Sequence, residues 1–142
     1  MSSPYESATL LVRLYELRRE TAMREARTWY ARSFSPASAD DVLATVSGPN
    51  SAQFRMVTSY WEMAASFVNH GAIDGEMFNE ANGEHLLVFA KLQPFLTEYR
   101  TKTSSPKYLA ALEKLVMTNQ VLVDRLAVIR ARFNIPAPAA KG

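Results

Sequence analysis

The sequence contains no cysteine, and that one absence excludes disulfides, thiolate nucleophiles and thiolate metal sites together. A chain without thiols suits a reducing compartment, so the cytoplasm is the expected location. Glycine is scarce, with five residues in 142. Neither a Gly-rich phosphate loop nor a Gly-x-Ser-x-Gly elbow occurs. No apolar run approaches the roughly 20 residues that cross a bilayer. The longest purely aliphatic run near the start is Leu10 to Val12, and Glu6 followed by charges from Arg13 onward does not read as a cleaved signal. Charge of one sign is also lacking: 16 Lys and Arg stand against 14 Asp and Glu, a net +2. Nucleic-acid binders gather basic residues on one face. Here the signs alternate, as in Arg18, Arg19, Glu20 and then Arg24, Glu25, Arg27, so nucleic acid is not an expected partner.

What is present is a globular balance, 48% hydrophobic and 21% charged, at the usual length of one domain. We expect a single helical domain over residues 1–142, with frayed tails at about 1–3 and 135–142. Ser3, Pro4 and Glu6 make a capping box with proline at the first helical position. The helix they start is expected to run to about Ser33, a rod of roughly 45 Å. Leu10, Leu11, Leu14, Leu17, Thr21, Ala22 and Trp29 lie on one side of it, and Glu20 and Arg24 form an i,i+4 pair on the other.

Ser38 caps a short helix over Ala39 to Val46. Ser51 to His70 then reads as a central helix, apolar over more than half its circumference, with only Arg55, Ser59, Glu62, Ser66 and Asn69 keeping a polar strip. Gly71 supplies a positive-φ end to it, Ile73 plugs the core, and Asp74 caps a short helix from Gly75 to about Ala81. Glu84 to about Thr101 is helical, kinked or split by Pro94. Ser105 and Pro106 repeat the cap-and-proline start for a final long helix to about Phe133. The expected fold is therefore all-α: a compact bundle of about four main helices, two long and flanking, one central and apolar, one kinked at proline, plus two short helices.

The stretch Tyr60-Trp61-Glu62 through Gly71-Ala72-Ile73-Asp74, followed by Phe78, Leu92, Pro94 and Phe95, resembles the core signature of a family of mostly bacterial helical proteins known only as domain of unknown function 4760. Ala22-Met23-Arg24-Glu25-Ala26-Arg27 looks like an upstream element of the same family. The resemblance implies a helical fold and carries over no catalytic residue. Many of the family's proteins have an N-terminal membrane anchor. This sequence begins directly at the capped helix, so no membrane role is expected by analogy.

Glu62 is the leading candidate for chemistry, an acid on a narrow polar strip that could serve as general base or hold a ligand. The commoner reading is a carboxylate paired with Arg55 or Arg18, because a partly buried charge needs a partner. Arg18, Glu25 and Arg32 recur every seven residues within an apolar arc, either lining a polar cleft or snorkelling beside it. His70 and His85, the only histidines, could join Asp74 and Glu62 around a metal. No HExxH-like pair supports that, and His70 before Gly71 reads more simply as a helix C-terminal residue. No metal or cofactor is assigned.

In the final helix, Leu112, Leu115, Leu122, Leu126 and Ile129 face inward, with Asn119 among them setting register. A second apolar stripe, Ala110, Met117, Val121 and Val128, needs a cover, either the first helix or a second chain. No motif marks an enzyme. The leading expectation is an interaction or regulatory domain, homodimeric through helix faces. The rival is a small-ligand binder or enzyme with a cleft of Arg18, Glu25, Arg55, Glu62 and His70.

Overall fold

Ser3 begins the fold as a reciprocal capping box: its Oγ accepts from Glu6 N–H at 3.1 Å while Glu6 Oε1 accepts from Ser3 N–H at 2.9 Å. Those bonds hold the Glu6 carboxyl below its ordinary range. In the computed structural model, which describes residues 1–138, the helix so started is α1, Pro4–Arg18. It stops far short of Ser33. A second helix, α2, spans Thr21–Arg32, and Glu20 between them is extended, with φ −59° and ψ 142°.

The break has a tertiary cause. Arg27 reaches back from α2 to donate to Arg18 O at 3.2 Å, satisfying a carbonyl that a continuous helix would have used. The Arg18 guanidinium sits 5.4 Å from the centroid of Trp61 and donates to Asn82 Oδ1. With Arg18 tied to the core and Glu20 moved to a cap position, the expected Glu20–Arg24 ion pair does not form among the described residues.

Ser38 Oγ accepts Asp41 N–H at 3.1 Å and starts α3, Ala39–Val46. Next comes α4, Ser51–Asn69, which buries Phe54, Val57, Tyr60, Trp61, Ala64 and Ala65. Gly71 takes φ +79°, where a side chain would be strained. Asp74 Oδ2 accepts Met77 N–H at 2.9 Å and starts α5, Gly75–Ala81. Pro94 splits the following segment: α6, Glu84–Leu92, gives way to a 3₁₀ turn at Gln93–Phe95 and then to α7, Leu96–Thr103.

The last expected helix is also two, α8, Ala110–Met117, and α9, Gln120–Phe133. Ser105 does not cap it. Its Oγ donates to Thr103 O at 3.2 Å within a turn, and the residue before α8 is Leu109 at φ 59°. Asn119, expected within a continuous packing face, instead caps α9 by accepting from Val121 and Leu122 N–H at 3.0 and 3.4 Å.

These helices pack as one all-helical structure, with no strand among the described residues. α4 lies between α2 and α8, and α6 against α9. Trp61, Tyr30, Phe54, Phe78, Phe89, Ile73 and Leu112 are the largest wholly buried side chains of a continuous core. Lys91 of α6 is buried among them, its Nζ donating to the carbonyls of Tyr30, Ala31 and Phe34 at 2.7, 3.1 and 2.6 Å. It thus closes the C-terminus of α2, where a cation suits the unpaired carbonyls.

Ser2 and Ile135 are both anchored to the body of the fold. Ser2 donates to Gly71 O at 3.0 Å through its N–H and to Ala72 O at 2.6 Å through its hydroxyl. Ile135 packs against the core and donates to Arg130 O at 2.9 Å. Of the tail expected to fray, residues 139–142 lie outside the described residues.

Candidate functional site

The five residues expected to line one cleft are dispersed. Arg18 lies at the α1–α2 junction over Trp61. Glu25 is exposed on α2. His70 is exposed at the end of α4, its Nδ1 2.8 Å from Ser66 O. Arg55 and Glu62 alone come together, as wall residues of one groove.

That groove, about 390 Å³, is bounded by Val46 of α3, by Phe54, Arg55, Thr58, Ser59 and Glu62 of α4, by Tyr99 of α7, and by Tyr108 and Leu109 before α8. Glu62 pairs with neither arginine in it or near it. Its two oxygens accept the backbone N–H groups of Ala111 and Leu112 at 3.0 and 2.8 Å. Those are two of the orphan donors at the start of α8, and Leu109, standing where a capping side chain would be, has no oxygen to offer. The carboxylate expected to do chemistry is a helix cap supplied from another helix.

Two features of the groove were not foreseen. Leu109 is buried in a left-handed backbone conformation, a strained choice for a bulky side chain. Arg100 braces the same turn by donating twice to Tyr108 O, at 2.9 and 2.7 Å, and pairing with Glu113 at 3.1 Å. The Tyr108 hydroxyl is buried with no hydrogen-bond partner among the described residues. Burial pushes its ionisation up, so it stays a donor at neutral pH.

The histidines do not form a metal site with Asp74 and Glu62. Each of those carboxylates already receives backbone N–H groups, and His85 is enclosed against Trp61 and Phe78, with ring centroids at 5.6 and 5.2 Å. No group of three potential ligands comes together among the described residues. Both His85 nitrogens lack a partner, and burial, aided by the nearby Arg18 charge, lowers its pKa to about 4.

The expected interface stripe is divided by the Thr118–Asn119 break. Ala110 is partly covered, Met117 approaches Gln93, and only Val121 and Val128, 68% and 66% exposed, remain together on α9. The first helix does not cover them, because α1 packs on α2 and α5.

A different apolar stripe stands out on α1 itself. Tyr5, Ala8, Val12 and Tyr15 are all exposed, spaced by three, four and three residues, and occupy an arc roughly 80° wide on the side away from buried Ser7 and Leu14. Arg18 and Arg19 each approach the Tyr15 ring at 5.6 Å. The spacing is visible in the sequence, but the leucines of the same helix carry the stronger apolar signal.

Fold and surfaces together define an all-helical protein without a strand, a metal cluster or a membrane-length apolar helix among its described residues. The chain belongs to the family DUF4760, a domain of unknown function, whose profile matches residues 5–118. The match takes in α1 through α8 and leaves out α9. No curated protein and no solved structure matches it.

Proposed function

We propose that the protein is a cytoplasmic interaction domain that pairs with a second copy of itself through α1. In this reading residues 1–142 act as a single domain of four limbs, α1–α2, α4, α6–α7 and α8–α9, with α3 and α5 as short connectors. The observation that carries the proposal is the symmetry of the α1 stripe. A two-fold axis passing between Ala8 and Val12 sets Tyr5 against the partner's Tyr15 and Ala8 against the partner's Val12, with aromatic residues at both ends and small ones in the middle. Isologous contacts require that self-complementarity. Tyrosine also supplies large contact area at low entropic cost.

Light scattering and native mass spectrometry across the micromolar range test the proposal. A dimer is expected, and Val12→Glu should convert it to a folded monomer whose melting temperature matches that of the parent diluted to monomer, since Val12 is 55% exposed and contributes little to the core. Val121→Glu on α9 should leave the dimer intact. A monomer at every concentration, or a dimer broken by Val121→Glu and not by Val12→Glu, overturns it.

A further inference from the structure

We propose that the groove between α3, α4 and α7 binds a small organic acid, a single carboxylate carried on an aromatic or branched aliphatic body. The groove is independent of the α1 stripe, and its volume, about 390 Å³, falls within the range of small-molecule sites, about 300–1,000 Å³. Phe54, Val46, Tyr99 and Leu109 give it apolar and aromatic walls.

The polar groups along those walls are unequally committed. Every side-chain acceptor with a charge is in use: both Glu62 oxygens receive α8 amides. The hydroxyls of Thr58 and Ser59 donate to carbonyls of their own helix, Phe54 O and Arg55 O, at 2.9 and 2.5 Å. What remains free is the cation of Arg55. Arg55 has no ion-pair partner among the described residues, and its charge lies near enough to Tyr99 to oppose the upward push of burial on that phenol. The Tyr108 hydroxyl is shielded from solvent and lies beside Thr58, so it is not offered to the groove.

An unpaired guanidinium beside an apolar groove is the complement of a carboxylate carried on an apolar body. Glu62 does not repel such a ligand as a bare charge would, because its oxygens face the positive end of α8. The strained turn at Leu109 fits the same reading, since backbone strain gathers where a ligand is clamped.

The test uses 3-phenylpropionate as probe and its neutral amide as control, titrated into nitrogen-15 labelled protein. The acid should shift the amide signals of Thr58, Ser59 and Leu109 at millimolar concentration or below, and the amide should bind at least about fivefold more weakly. Arg55→Gln should weaken the acid about three- to tenfold while leaving the melting temperature unchanged. Absence of groove shifts up to about 10 mM acid overturns the proposal. So does equal binding of acid and amide, or acid binding that Arg55→Gln does not alter.

Discussion

The Glu62 carboxylate accepts the backbone N–H of Leu112 at 2.8 Å, joining the middle of the central helix to the first turn of α8 across fifty residues of chain. With the second bond to Ala111, one acid replaces the cap that Leu109 cannot provide. Hydrogen bonds to a charged group are worth about 1.5–3 kcal/mol where the partner is otherwise left unsatisfied. Glu62→Ala should therefore destabilise the fold by about 2 kcal/mol in urea unfolding, and Glu62→Gln, which keeps one good acceptor, by about half as much. If the residue served only a ligand, both variants would unfold at the parent's midpoint.

His85 should make the protein acid-sensitive in a defined window. Its pKa falls from 6.5 to about 4 on folding, so the unfolded chain takes up the proton first. The corresponding stability is fully present above pH 6.5 and is lost as pH falls toward 4. The linkage amounts to roughly 3 kcal/mol over that range. His85→Phe should remove this loss and raise stability at neutral pH by about 1 kcal/mol, because two unpartnered nitrogens leave the core. Urea midpoints at pH 7 and pH 4.5 report the difference, and a parent protein equally stable at both would contradict the assignment.

Lys91 provides a third test. Burial lowers its pKa, yet three carbonyls at the end of α2 hold the ammonium. Lys91→Met keeps the stem and removes the donors. Those carbonyls would then be left without the ammonium, at a cost of about 2 kcal/mol. Hydrogen exchange should accelerate most in the last turn of α2. A uniform change across the molecule would mean that the lysine only fills space.

Much of the local structure was legible because each piece is set by neighbouring residues. Ser3 with Glu6, Ser38 with Asp41, and Asp74 with Met77 cap helices through bonds three residues long. The density of apolar positions on α4 likewise foretold its central place. The site was less legible. Glu62 was recognisable as an acid needing a partner, but the partners are amides near the far end of the chain. Tyr108 gave no signal of its own, because an unsatisfied hydroxyl exists only where surrounding helices close over it.

Helical periodicity and caps by themselves determined that this chain is all-α and where most of its helices begin, since both depend on side chains within a turn or two of each other. Tertiary structure decided where the two long helices break. Arg27 captures Arg18 O from another helix, and Asn119, capable of lying within a helix or capping one, takes the cap because α8 and α9 pack on different neighbours. It also decided which apolar faces stay exposed, because exposure depends on where the other helices come to rest.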